Sequence, residues 1–325
     1  MKSHNKYFLG KRVEEIKEPK YLPPLSFAQK QKEKIEVHAC PLCQKEEYVV
    51  VGKFFLDHII HYWVDRYGFN PISDAYRGDV LEKRYCENCG LFFYNYHLPD
   101  NDEMYEEMSK RSNYYPMFRP EYGMATEIIE QLRPDSVFEI GCGSGEFLER
   151  IKHIVPEAIG SEYNPEARKR CEQRGIKVYS QDISQIKEEF DVVCHFEVLE
   201  HARDTDSLMK NSLNLLKKGG LLMIGTPDPE GIASYKNRYQ LNLPPHHQFD
   251  FSKKAFEFLA EKYKLKIYHY QKRELEYRHY EAYVKEITGK DLQQPDMVGF
   301  FEAQKRITGA SHFVVFKKMK KLNKF

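Results

Sequence analysis

The sequence predicts an α/β protein in which a parallel sheet flanked by helices follows a small cysteine-bearing module. Two observations point to the sheet. From about residue 121 amphipathic helical runs alternate with short apolar strands, the pattern of a parallel sheet with helical crossovers. One of those strands runs directly into the glycine burst of "FEIGCGSGEF", residues 138–147. The module rests on a third observation: Cys40 and Cys43 stand in "CPLC", and Cys86 and Cys89 in "CENCG".

Taken in order, residues 1–36 are polar and charged and carry Pro19, Pro23 and Pro24, which predicts a loosely packed extension. The cysteine module spans 37–99, and "FFLDHIIHYWVDRYGFNP" inside it predicts an inserted helix. An acidic helical connector follows over 100–120. The sheet domain covers 121–325. Its apolar runs predict strands at 136–140, 157–162, 176–180, 190–196, 220–226 and 265–270, with "SHFVVFKK" last. Helices are predicted over 145–154, 164–174, 204–217 and 253–263. Asn164 before Pro165 marks a helix start. Lys217, Lys218, Gly219 and Gly220 mark a helix end turning into a strand. An insertion at 274–310 is expected to form one or two helices.

Composition excludes some classes. Fifty basic and 49 acidic side chains nearly cancel, which argues against a protein that coats nucleic acid or an anionic membrane. The basic end "KKMKKLNKF" reads as a solvated tail. No apolar run approaches the ~18 residues of a membrane span, and the first twenty residues are too charged for a signal peptide, so a cytoplasmic location is expected.

Glycines after a strand bring backbone close to a ligand. A dinucleotide fingerprint would place a third glycine at position 146, but Glu146 stands there, and a carboxylate in the first helical turn repels a pyrophosphate. A ligand without phosphates is preferred.

With Glu139, Gly141, Gly143 and Gly145, the loop resembles motif I of the class I S-adenosylmethionine-dependent methyltransferases. The resemblance implies a Rossmann-like methyltransferase sheet whose glycine loop approaches the methionine part of S-adenosylmethionine, with Glu139 near its ammonium. It also implies that Glu162, in "GSEYNPEA", accepts both ribose hydroxyls, that Tyr163 covers the adenine, and that Asp182, with Ile183, recognises the adenine amino group. The stretch "FDVVCHFEVLEHARDTDSLMKNSLNLLKKGGLLMIGTPD" resembles the ubiquinone-biosynthesis type of these enzymes, adding Phe196 and Glu197 to the cofactor contacts. This likeness covers about 121–270.

Methyl transfer from a sulfonium is an in-line displacement, so such an enzyme contributes orientation, exclusion of water and removal of a proton where the acceptor needs it. For a sugar hydroxyl the expected helper is histidine. His201 follows the fourth strand; His246 and His247, in "NLPPHHQFDFS", follow the fifth. Each is a candidate base, with a structural hydrogen bond or a surface pair as the alternative. The loop resembles H-E-H-x-x-Y-F-S of nucleotide-sugar C-methyltransferases, with His247, Phe251 and Ser252 matching. His246 stands for glutamate and Asp250 for tyrosine, which favours O-methylation.

Two C-x-x-C turns supply four thiolates that close a tetrahedral site, so Cys40, Cys43, Cys86 and Cys89 predict structural zinc. His58 and His61 are read as helix-face residues because the cysteines complete the site. The closing "RYCENCGLFFYNY" resembles the zinc module of bacterial sugar-modifying methyltransferases, which implies that Tyr94, Tyr96, Tyr114 or Tyr115 approaches the acceptor. Cys142, Cys171 and Cys194 read as buried small hydrophobes.

The expectation is therefore a methyltransferase acting on a sugar or sugar nucleotide. Three rivals stand beside it. An RNA acceptor would call for a basic stripe with stacking aromatics, which the acidic connector opposes. A quinone or small phenol leaves the cysteine module unexplained. A non-catalytic zinc-ribbon interaction protein is opposed by the intact glycine loop.

Overall fold

A computed structural model describes residues 7–8, 11–12, 34–98, 102–111, 119–232 and 240–319. Tyr114 and Tyr115 and most of the 1–36 extension lie outside them, save a two-residue ladder of β1 (Tyr7–Phe8) and β2 (Lys11–Arg12). The chain forms two compact units, each drawing on three stretches. One unit comprises 1–104, 227–255 and 272–311; the other comprises 105–226, 256–271 and 312–325.

The second unit holds the predicted sheet. Its strands are β6 (Ser136–Ile140), β7 (Glu157–Ser161), β8 (Lys177–Tyr179), β9 (Phe190–Phe196), β10 (Leu216–Pro227), β12 (Leu265–Lys272) and β13 (Ser311–Lys318), in the order β12-β13-β10-β9-β6-β7-β8. β6 pairs parallel with β7 and β9, β7 with β8, and β9 with β10. The first strand is thus central and the order reverses beside it, which makes a switch point at the carboxyl ends of β6 and β9.

Helices α3 (Pro120–Leu132), α4 (Glu146–Ile151), α5 (Pro165–Gln173), α6 (Thr205–Asn214) and α7 (Lys253–Lys262) supply the crossovers. Pro at N1 starts α3, and the Asn164 side chain caps α5 by accepting from Glu166 N and Ala167 N. The apolar face of the sheet buries Val137, Phe147, Val192, Phe196, Met223, Phe313 and Val315 in one cluster.

Two sequence expectations need correction. The helix expected over 204–217 ends at Asn214, and the Lys217–Gly220 stretch is no helix cap but an irregularity within β10, where the register to β9 shifts between Leu216 and Leu221. Glycine is needed there because a Cβ on Gly220 would meet Asp191 O at 2.7 Å. The expected 145–154 helix is shorter, since α4 stops at Ile151 in a turn.

The first unit holds a four-stranded antiparallel sheet in the order β11-β5-β4-β3: β3 (Tyr48–Phe55), β4 (Val80–Cys86), β5 (Leu91–Tyr94) and β11 (Asp250–Phe251). The expected inserted helix is α1 (Leu56–Tyr67), which buries Leu56, Ile59, Ile60 and Trp63 and ends on Gly68 at φ 83°. The connector forms α2 (Asp102–Ser109). The 274–310 insertion forms α8 (Tyr277–Thr288) and α9 (Met297–Gln304), whose Tyr280 and Phe300 pack with Leu275 and Ile232. No helix among the described residues is long and apolar enough to cross a membrane.

His195, in β9, is fully buried, and neither ring nitrogen has a hydrogen-bond partner among the described residues. Burial pulls it from 6.5 down to about 3, so it stays neutral in the fold. The unfolded chain binds the extra proton between those values, and stability therefore falls as pH drops from 6.5 toward about 3, by up to about 1.4 kcal/mol per pH unit. Urea denaturation across this range should show the slope in the wild type and a shallower one in His195→Leu; parallel curves would reject the assignment.

Candidate functional site

The loop after β6 carries three left-handed glycines, Gly141 at φ 68°, Gly143 at 55° and Gly145 at 83°. Side chains would be strained there, and neighbours leave them no room. A Cβ on Gly141 would meet Val198 Cγ2 at 2.8 Å; on Gly145 it would meet Ile176 Cδ1 at 2.7 Å and Cys171 Sγ at 3.0 Å. Cys142 and Cys171 are buried under the loop, and the Cys171 thiol donates to Gly143 O at 3.3 Å.

Glu162 follows β7, and its carboxylate bridges two loops. Oε2 accepts from Gly143 N at 2.9 Å and Oε1 from Asn164 N at 2.8 Å. Burial raises its pKa, against the lowering by these N–H donors. Each oxygen keeps a further lone pair, so hydroxyl donors can still be accepted. Glu139, in β6, is 2% exposed, and its Oε2 makes no hydrogen bond among the described residues. Burial pushes this carboxyl well above the usual carboxylate range.

Tyr163 is 68% exposed. Asp182 accepts from Ser184 N at 2.8 Å and caps the short turn Ile183–Gln185, with Ile183 buried. Phe196 packs edge-on to Tyr122 and Phe147, so its side chain belongs to the core and only its backbone can face a ligand. Glu197 takes a positive φ of 55°, hydrogen-bonds through its N to Gly225 O, and lies 3.6 Å from Arg119. His201 ends a single turn, with Nδ1 3.4 Å from Tyr105 Oη and Nε2 4.0 Å from Glu200 Oε1.

His246 and His247 belong to the first unit. They are buried and stacked, with ring centroids 4.7 Å apart, and His246 also lies edge-on to Trp63 at 6.4 Å. His246 Nδ1 lies 3.0 Å from Leu241 O. A carbonyl only accepts, so Nδ1 carries the proton and Nε2 is the basic nitrogen of the neutral ring. Their loop is held by its neighbours: Gln248 Nε2 donates to Leu98 O and Pro245 O, and Asp250 forms a buried ion pair with Lys83 at 2.7 Å.

Cys40, Cys43, Cys86 and Cys89 place their sulfurs within 4.8 Å of one another. Sγ of Cys40 and Cys89, and of Cys43 and Cys86, lie 3.5 Å apart. That is too long for a disulfide of about 2.05 Å. It is close to the edge, about 3.8 Å, of a tetrahedron with metal–sulfur bonds of about 2.3 Å. The donor set therefore fits a zinc-like ion. His61 instead lies 3.2 Å from Asp65 on α1, and Tyr94 donates to Asn242 O at 3.4 Å.

Sequence reasoning missed Arg119, Tyr105, Lys83 and two arginines of the 165–174 region. Arg168 donates to Glu162 O and Tyr163 O, and Arg174 to Ser144 O while pairing with Glu146 at 3.2 Å. No local motif marks them, because each acts on backbone carbonyls or charges that no recurring sequence pattern announces.

A parallel sheet with a glycine loop after its central strand and a bridging acid after the next defines a doubly wound α/β domain with its ligand crevice at the switch point. Residues 111–270, just under half of the chain, match the family described as a methyltransferase domain, and the α/β sheet of this segment is Rossmann-like. Among curated proteins, the chain is 31% identical over 149 residues to the ubiquinone biosynthesis O-methyltransferase of Ruegeria sp. (strain TM1040), covering 40% of this chain and 60% of that protein. It is 33% identical over 103 residues to that of Pelagibacter ubique (strain HTCC1062), covering 29% of this chain and 43% of the relative. Among solved structures, a SAM-dependent methyltransferase from Archaeoglobus fulgidus aligns with a TM-score of 0.47 at 20% identity, over 67% of this chain and 100% of the other. The N-methyltransferase NodS from Bradyrhizobium japonicum WM9, in complex with S-adenosyl-L-homocysteine, aligns with 0.46 at 17%, over 67% and 98%.

Gly145→Ala should lower the unfolding free energy by at least about 1–2 kcal/mol, the cost of a left-handed alanine before any clash. Urea denaturation checks this, and an unchanged midpoint would mean that the loop is free to rearrange.

Proposed function

We propose that the protein is an S-adenosylmethionine-dependent methyltransferase that methylates a hydroxyl of a small-molecule acceptor, a sugar or sugar nucleotide. The observation that carries the cofactor is the Glu162 carboxylate, held across the glycine loop by Gly143 N–H at the switch point. Glu162 would accept the ribose hydroxyls, Glu139 would pair with the ammonium, and Tyr163, Asp182 and Ile183 would line the adenine. The bound sulfonium would supply the methyl group.

The chain's own residues then have two tasks. Backbone of the glycine loop and of Phe196 and Glu197 orients the cofactor, and a histidine takes the proton of the acceptor hydroxyl. Within the stacked pair, His246 Nε2 is basic because Nδ1 donates to Leu241 O, and His247 shares its buried surroundings. His201 is the remaining candidate. The four cysteines would hold zinc in a structural role, since a tetrathiolate leaves no open position. A cytoplasmic location and use in surface-polysaccharide synthesis complete the proposal. Its support is the likeness of the 241–252 loop and of the cysteine module to sugar-modifying enzymes.

A phenolic acceptor is the second reading, favoured by the names of the curated relatives. Mass spectrometry of methylated products decides between them, with nucleotide sugars and catechols offered in parallel.

Calorimetric titration with S-adenosylhomocysteine should give micromolar binding that weakens at least about tenfold in Glu162→Ala, the scale of a lost charge-assisted hydrogen bond. Equal affinity in the two proteins would sink the ribose assignment. His247→Ala should leave that affinity near normal and lower turnover by ~100-fold, the general-base scale. Unchanged turnover removes His247 from the mechanism.

A further inference from the structure

The histidine loop is fastened to the second cysteine knuckle. Gly90, next to Cys89, has φ 78° and lies so close to the 252–254 turn that an added Cβ would meet Ser252 Oγ at 2.6 Å and Lys254 Cβ at 2.7 Å. Ser252 Oγ donates to Gly90 O at 2.8 Å and accepts from Ala255 N at 3.3 Å. Lys254 Nζ donates to Glu87 O, between the two cysteines, at 2.5 Å. One residue further back, Phe251 and Asp250 pair with Leu91 and Phe92 as β11 on β5. His247 and His246 lie three and four residues before this strand.

We propose that the cysteine knuckle is the positioning element of the histidine pair: metal on the four thiolates fixes residues 86–90, and Gly90, Ser252 and Lys254 pass that fixation to β11 and the loop before it. The proposal rests on the reading of the cysteines as a metal site and of the histidines as acceptor-side groups. It gives the module a part in the chemistry through Ser252 and Gly90, which are positioning residues.

The physical reason is local. Two strand residues and a two-residue turn form a small contact surface, and a short edge strand is held only as well as the strand it joins. Without a bridging cation, the buried thiols lose what links the two C-x-x-C turns, and Cys86–Gly90 loses its fixed curvature. The left-handed Gly90 and its close approach to Ser252 then rest only on the Gly90 N–Cys86 O and Ser252–Gly90 hydrogen bonds and the two-residue β11 ladder.

The test is hydrogen exchange on the full chain, with zinc bound, with zinc removed by a chelator, and in zinc-bound Gly90→Ala. Amides of 246–252 should exchange about tenfold faster or more in the last two, as a locally opened segment does, while those of β6 and β9 keep their protection. The ring signals of His246 and His247, followed by NMR, should move while that of His195 stays. Should Gly90→Ala fail to fold, Ser252→Ala removes only the hydroxyl bond to Gly90 O and should give a smaller acceleration in the same segment. Equal protection of 246–252 in all preparations overturns the proposal. So does a loss spread evenly over β6 and β9, which would mark global unfolding. A protein that takes up no zinc overturns the metal dependence, while Gly90→Ala still judges the anchor. Failure to bind S-adenosylhomocysteine would count against the methyl-transfer reading and leave the exchange result intact.

Discussion

The contact on which the loop end of the second unit depends is the Glu162 carboxylate between two backbone N–H groups. In a parallel sheet every crossover helix returns the chain to the same edge, so the loops after β6, β7 and β9 gather at one end by topology alone. Gathering does not fix them. Glu162 does so for two loops at once, holding Gly143 from β6 and Asn164 from β7, and Asn164 in turn caps α5. Arg168 and Arg174 neutralise the carbonyl side of the same loops. Burying this acid is costly, and charge-assisted donors offset the cost only in part, as its raised pKa shows.

A different economy governs the first unit. Its sheet has four strands, and its cysteine turns contribute little apolar surface of their own; the larger contribution comes from α1, through Trp63 and its neighbours. The sequence segment that carries His246, His247 and β11 falls inside the stretch matching the methyltransferase family, yet it is hydrogen-bonded into the sheet of the cysteine module. The cysteines themselves lie outside that stretch. The chain therefore spends part of its α/β segment on completing the smaller sheet.

Much of this was legible in the sequence. The β6, β9 and β13 strands stand where the apolar runs put them, because strands buried on both faces read as continuous Val, Ile and Phe. The Asn164 cap and α1 were legible from local signals, whereas for the insertion the sequence offered only one or two helices and α8 and α9 make it two. The tetrathiolate cluster followed from spacing, although 42 residues separate its halves, because a knuckle is set locally and the join is left to the metal-like geometry. What stayed hidden was long-range. The ion pair of Lys83 with Asp250 and the pairing of Phe251 with Leu91 join residues about 160 apart, and the residue types alone carry no trace of the partner. The Phe196 side chain shows the same limit: strand alternation fixes which face a side chain takes only once the neighbouring helix is known, and here α3 and α4 pack on the ring and leave the backbone for a ligand.

The histidines show how geometry narrows what chemistry leaves open. From the sequence, His201, His246 and His247 all follow a strand of the sheet; His201 reads equally as a structural hydrogen bond, and His247 alone matches a histidine of the sugar C-methyltransferase pattern. In the structure, His201 sits in a single turn beside the fully buried Glu200, with Tyr105 at Nδ1, an arrangement that holds a ring in place. His246 has its proton directed to a carbonyl and its ring stacked on His247, so the two rings share one buried space in which a second positive charge is disfavoured.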